Sequence, residues 1–168
     1  MADYYTQTVF QENIPNADMT PLEFLLLSNI FESEPDGDET YFFSETGAND
    51  FVWVNKSELK KALDASCDSD SQVRRVVEDQ LEAADPGDEE IELDMSATSW
   101  EFIVQDIVRR SATLRYISVS AAFTCSKMRS DGFGGMAVFV TAEKIKWFST
   151  TEFLTDCLAE IIGGDEQE

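Results

Sequence analysis

Residues 78–96 read EDQLEAADPGDEEIELDMS, and this stretch decides the fold class. Its last part, EIELDM at 90–95, alternates strictly. Glu90, Glu92 and Asp94 fall on one side, Ile91, Leu93 and Met95 on the other. Successive side chains of a strand point to opposite faces, so this is the pattern of a half-buried strand. The segment before it has helical spacing. SDSQVRRVVEDQLEAA, from Ser69, puts Val73, Val76, Val77 and Leu81 on one face, and Pro86 and Gly87 stop it. Nine residues from Glu78 to Asp94 are acidic and none is basic.

Upstream, MTPLEFLLLSNIF reads as a helix. Thr20 caps it, Pro21 suits its first position, and Glu23 completes a capping box. ESEPDGDET reads as acidic turn chemistry. TYFFSE and DFVWVN read as two strands joined by TGAN in a hairpin. KSELKKALDA reads as a helix capped by Ser57.

Downstream, TSWEFIVQDIVRR is helical. RYISVSAAFTC and GMAVFVTA are strands around the loop SKMRSDGFGG, and KIKWFS is a further short strand. TTEFLTDCLAEII forms a last helix closed by Gly163, with a frayed tail at 164–168.

Strands and helices in this order predict a single α+β domain over 1–168, a mostly antiparallel sheet with flanking helices. An internal similarity bears on its architecture. TPLEFLLL at Thr20 matches TSWEFIVQ at Thr98, and WVNKSELKKAL at Trp53 matches WFSTTEFLTDC at Trp147. The halves 18–67 and 96–163 would then be related α-β-β-α units. Shared capping chemistry is the competing explanation, since Thr, Ser and Glu recur at helix starts for local reasons.

The totals narrow the function. The chain has 168 residues, 43% hydrophobic and 11% aromatic, enough for a core. Twelve basic and 34 acidic residues give a formal charge of −22. That balance repels nucleic acid and anionic membranes and attracts basic partners or cations. MADYYTQTVF lacks the basic start and apolar run of a secretory signal. Cys67, Cys125 and Cys157 are odd in number and widely spaced, which fits reduced thiols and a cytoplasmic location. Histidine is absent, removing the commonest general base and metal ligand.

Motifs for chemistry are weak. Glu32, Glu34 and Asp36, followed by Gly37, echo the start of a calcium loop. Pro35 interrupts it, and Phe43 stands where a bidentate glutamate belongs. No Ser, Cys or Lys sits in a nucleophile motif, and Cys125 reads as a core thiol. DGFGG reads as a hairpin turn needing positive φ rather than a phosphate cradle, because a strand follows it. Trp53, Trp100 and Trp147, lying among apolar neighbours, are expected in the core. No catalytic residue, metal ligand or cofactor is therefore expected.

The charge is the main clue. A chain of this length spans roughly 40 Å, over which duplex DNA carries about 24 charges. The protein's −22 is of that order. In composition the chain resembles the DNA-mimic inhibitors of restriction and CRISPR systems carried by phages and mobile elements, although no motif assigns it to one. The resemblance implies a non-enzymatic protein that binds a basic, nucleic-acid-handling partner, with no direct nucleic-acid or membrane contact. The expected contact residues are Glu32, Glu34, Asp36, Asp38 and Glu39, with Asp85, Asp88, Glu89, Glu90, Glu92 and Asp94. The alternatives are an interaction module working through an apolar patch, a divalent-cation-dependent hydrolase, and a calcium-binding module. The basic residues cluster too, at Lys56, Lys60 and Lys61, at Arg109, Arg110 and Arg115, and at Lys127 and Arg129. They can balance acidic faces within the fold or across a dimer, so the oligomeric state stays open between monomer and dimer.

Overall fold

The computed structural model describes residues 2–66, 71–96 and 98–164. Cys67, the Ser69–Asp70 start of the SDSQVRR segment and the tail from 165 lie outside them. The strands are β1 (Tyr4–Phe10), β2 (Ile14–Pro15), β3 (Glu32–Asp36), β4 (Glu39–Ser44), β5 (Phe51–Asn55), β6 (Glu90–Asp94), β7 (Tyr116–Cys125), β8 (Gly134–Thr141) and β9 (Ile145–Ser149). The helices are α1 (Pro21–Ile30), α2 (Lys56–Ala65), α3 (Gln72–Ala83), α4 (Trp100–Arg110) and α5 (Thr150–Gly164). The fold is α+β, and the strand pairs among the described residues are antiparallel.

The larger sheet runs β3, β4, β1, β7, β8, β9, with β2 beside the far end of β4. β5 and β6 form a separate two-stranded ribbon. Alternation sets which side of the large sheet is dry. Phe10, Phe42, Ile117, Val119, Val138 and Val140 are buried, while Phe139 between the last two is exposed. α4 packs across β7 and β8, and α1 packs beside it and against α2. An aromatic cluster fills the junction. Phe10 lies 5.1 Å from Phe31, 5.7 Å from Phe42 and 5.6 Å from Trp100, ring centre to ring centre. Tilted and edge contacts of this kind suit the charge distribution of aromatic rings. One hydrophobic cluster takes in residues of both sheets, among them Phe10, Phe42, Val119 and Val138 of the larger and Val52, Val54, Ile91 and Leu93 of the ribbon.

The capping box at α1 forms as expected. Thr20 Oγ1 accepts from Glu23 N at 3.2 Å, and Glu23 Oε2 accepts from Thr20 N at 2.9 Å. Glu23 does more than cap. It is 0% exposed, and Arg110 at the end of α4 donates to its Oε2 at 2.5 Å. A buried carboxylate needs such a partner, and the pair ties the start of α1 to the end of α4.

Several expectations are corrected. ESEPDGDET is not a turn. Residues 32–36 form edge strand β3, and only Gly37 and Asp38 turn, with Gly37 at φ 61°. Pro35 is tolerated because an edge strand leaves one side of its backbone unpaired. TYFFSE and DFVWVN are not a hairpin: β4 pairs with β1, β2 and β3, and β5 pairs with β6. Asn55, not Ser57, caps α2; its Oδ1 accepts from Ser57 N at 2.9 Å and Glu58 N at 3.4 Å. The last helix extends to Gly164, two residues beyond Ile162 and through the Gly163 expected to close it.

Only Asp131, Gly132 and Phe133 of DGFGG lie in the β7–β8 connection; Gly134 and Gly135 already pair with Phe123 and Ala122, and none of the three glycines has positive φ. Close approach explains Gly132 instead. A Cβ there would stand 2.6 Å from Cys125 Cβ. Trp100 is part of the aromatic cluster, but Trp53 and Trp147 are more than half exposed.

The two proposed halves share an element order, α1-β3-β4-β5-α2 against α4-β7-β8-β9-α5. They differ in pairing, since β9 stays on β8 while β5 leaves β4 for β6. Thr20 caps α1, whereas Ser99 stands at the cap of α4 and makes no capping bond.

Candidate binding surface

The β5–β6 ribbon is a two-faced object built by alternation. Val52, Val54, Ile91 and Leu93 face inward and are buried. The other face carries two parallel rows. On β6 stand Glu90, Glu92 and Asp94; opposite them on β5 stand Asn55, Trp53 and Phe51. The pairs are Asn55 with Glu90, Trp53 with Glu92, and Phe51 with Asp94. Trp53 is 62% exposed and Phe51 56% exposed. Carboxylates two residues apart on a strand are about 6.6 Å apart, so the acidic row is regular.

Local hydrogen bonds hold the row in place. The Gln80 side chain, from α3, brackets the backbone of Asp94: its Oε1 accepts from Asp94 N at 2.7 Å, and its Nε2 donates to Asp94 O at 2.8 Å. The Asp94 carboxylate accepts from Ser96 Oγ at 2.6 Å and Ser96 N at 2.9 Å. Those bonds, the hydroxyl's first, lower its pKa and keep it ionised. Asp85 shapes the turn into β6, accepting from Gly87 N at 2.9 Å. Lys56 donates to the Asp85 carbonyl and, with Lys60, borders the groove lined by Asp88 and Glu89.

At one end of the ribbon lies a cleft of about 170 Å³. Asp50, Trp100 and Glu101 line it, with Asn49, Ser96 and Ser99. Glu101 is 7% exposed; Trp147 Nε1 donates to its Oε1 at 3.3 Å, and its Oε2 has no hydrogen-bond partner among the described residues. Burial raises the Glu101 pKa and Asp50 adds to the rise, against its own backbone N–H and the Trp147 indole. Two carboxylates beside an aromatic wall suit a cationic side chain with an apolar stem.

The remaining expected contact residues form a second row elsewhere. Glu32, Glu34 and Asp36 alternate along β3, opposite Phe43, Tyr41 and Glu39 on β4, with Asp38 in the turn. Asn13 Nδ2 donates to Asp36 Oδ2 at 2.9 Å. This row belongs to the large sheet and the other to the ribbon, so the two acidic segments do not join into one strand system.

Among the described residues, the ion pairs are Arg74–Glu78, Arg109–Asp106, Arg110–Glu23 and Arg129–Asp131. None uses an expected contact residue, so these cations leave both acidic rows unneutralised. Also among the described residues, no group of three or more His, Cys, Asp or Glu side chains is arranged to hold a metal ion. No described helix is long and apolar enough to cross a membrane.

The sequence reading placed the acidic row but missed Phe51, Trp53, Asp50 and Glu101. The signal for Trp53 was present: DFVWVN alternates, so Phe51 and Trp53 must share the face opposite Val52 and Val54. Comparison with protein-family models, curated proteins and solved structures gave no match.

Proposed function

We propose that this protein is a non-enzymatic binder of a basic, nucleic-acid-handling protein, and that it acts by occupying that partner's cationic groove. The observation that carries the reading is the β5–β6 ribbon. A rigid row of three carboxylates runs beside two exposed aromatic side chains, with the reverse side anchored in the core. Aromatic anchors supply most of the energy of typical protein interfaces, and carboxylates supply steering and discrimination. Because the row is built on a strand held by Gln80, little ordering entropy is lost when a partner closes on it.

In this account the net charge draws the partner in and Glu90, Glu92 and Asp94 meet its lysines or arginines. Phe51 and Trp53 cover the stems of those side chains. The cleft with Asp50 and Glu101 takes one cationic side chain at the end of the row. Asp85, Asp88 and Glu89 extend the row, and Glu32 to Glu39 form a second acidic surface on β3 and β4. The apolar-patch alternative differs in one respect: binding would survive removal of the acidic row.

The test loads bacterial lysate onto immobilised duplex DNA and elutes with the purified chain. It should release specific DNA-binding proteins, and a variant with Glu90→Gln, Glu92→Gln and Asp94→Asn should not. Release by both proteins alike would shift the site off the acidic row. Release of nothing would reject groove occupation.

A further inference from the structure

α5 carries three rows along its length. Glu152, Asp156 and Glu160 form one; Phe153, Cys157 and Ile161 form the next; Leu154, Leu158 and Ile162 form the third. Residues four apart on a helix stack on one face, so the last two rows make a broad apolar stripe with the acidic row on its flank. Such a stripe belongs against another apolar surface. Here it does not meet one: Phe153, Leu154, Leu158, Ile161 and Ile162 are 54–67% exposed. Phe148, on β9, continues the patch, its ring 5.9 Å from that of Phe153.

Two further features meet at this place. β9 is the last strand of the large sheet, so one side of its backbone has no strand partner among the described residues. An exposed apolar edge is a template for pairing with another chain. The apolar area left open by the patch is on the order of 700 Å², above the largest patch of most monomers and close to the ~800 Å² per partner of a standard interface.

We infer that β9 and α5 form a two-fold interface with a second copy of this chain. Antiparallel pairing of an edge strand with itself is isologous and closes at two copies. Trp147 is the central residue of Ile145–Ser149. With the axis there, the hairpin end of one β9, carrying Lys144 and Lys146, lies beside the start of the other copy's α5, carrying Glu152. Lys144 and Lys146 of one copy then oppose Glu152 of the other at the rim, and the second copy covers Phe148 and the apolar rows. The stripe itself is apolar and suits a second apolar surface, while the acidic row Glu152, Asp156 and Glu160 stays on its flank. The interface uses none of the ribbon residues, and it touches the cleft through the Trp147 indole, which donates to Glu101.

The test is sedimentation or light-scattering mass measurement on the full chain from about 1 to about 100 μM, a range whose upper end populates an interface of micromolar or tighter affinity. The expected mass is twice 18.9 kDa at the upper end. Leu158→Asp with Ile162→Asp should give the monomer mass throughout. These side chains are exposed, so circular dichroism and the melting temperature should report an intact fold. Lys146→Glu should weaken the dimer at least about tenfold, and adding Glu152→Lys should restore it. A wild-type chain that stays monomeric over the range would overturn the inference. So would a dimer that survives the α5 substitutions.

Discussion

Trp53 stands directly opposite Glu92 across the β5–β6 ribbon, and both side chains lie on the face the core leaves open. A large aromatic and a carboxylate at one cross-strand position give a partner an apolar anchor beside a charge. Trp53→Ser should therefore cost binding about 2 kcal/mol, a roughly 30-fold loss. It should leave the melting temperature almost unchanged, because the indole contributes little to the core. Calorimetric binding and a thermal melt on the same protein separate the two effects. A large fall in melting temperature would mean that the indole supports the fold.

Glu101 predicts a conflict between stability and binding. Its pKa is raised in the folded chain, chiefly by burial. Below about pH 4 both folded and unfolded forms hold the proton, and stability is greatest with respect to this group. As pH rises through the raised value, the folded form must ionise a buried carboxyl and stability falls. Glu101→Gln should thus raise the melting temperature near pH 7 by a few degrees, about 2–4 °C per kcal/mol for a chain of this size. The gain should shrink as pH falls toward 4. The same change should weaken partner binding if the cleft holds a cationic side chain. Melts that coincide for the two proteins at every pH would refute the electrostatic account.

The pair between Glu23 and Arg110 predicts the opposite pattern. Glu23 is fully buried and its Oε2 is held by Arg110 and by the backbone of Thr20. Arg110→Met leaves that charge without its ion partner and should destabilise the fold by about 3–5 kcal/mol. Adding Glu23→Gln should recover part of the loss. Urea denaturation of the two single variants and the double variant measures the coupling. Additive losses would show that the two side chains stabilise the chain separately.

Gly132 tests a packing argument. A methyl group there meets Cys125 Cβ at 2.6 Å, inside the hairpin between β7 and β8. Gly132→Ala should destabilise by about 1–3 kcal/mol. Because the backbone there is not at positive φ, the loss should be relieved by Cys125→Ala or Cys125→Gly in proportion to the space made. No relief would point to the backbone rather than the side chain.

What was legible in the sequence was local. Period-two alternation identified β6 and its solvent face, and Thr20, Pro21 and Glu23 identified the start of α1. Long-range pairing was not legible. DFVWVN lies next to TYFFSE in the chain, yet its partner is EIELDM, which follows two intervening helices. In YYTQTVF the polar run Thr6, Gln7 and Thr8 hides the apolar alternation, yet the segment forms β1 between β4 and β7. ESEPD was read as a turn from its composition, but a strand at a sheet edge can carry acids and a proline. Apolar neighbours suggested that Trp53 and Trp147 were in the core. Each lies on a strand whose position in its sheet leaves the indole uncovered, and that position is set by pairing rather than by local sequence.

If the acidic row of the ribbon is a binding surface, a salt-graded pull-down will show it. The intact chain and a variant with Glu89→Gln, Glu90→Gln, Glu92→Gln and Asp94→Asn are immobilised and exposed to bacterial lysate. Each is washed at low salt, at high salt, and with duplex DNA as competitor. The intact chain should capture a nucleic-acid-binding protein at low salt only, and capture should be lost in the variant, at high salt and on addition of DNA. Equal capture by both proteins, or capture indifferent to salt and DNA, would contradict it.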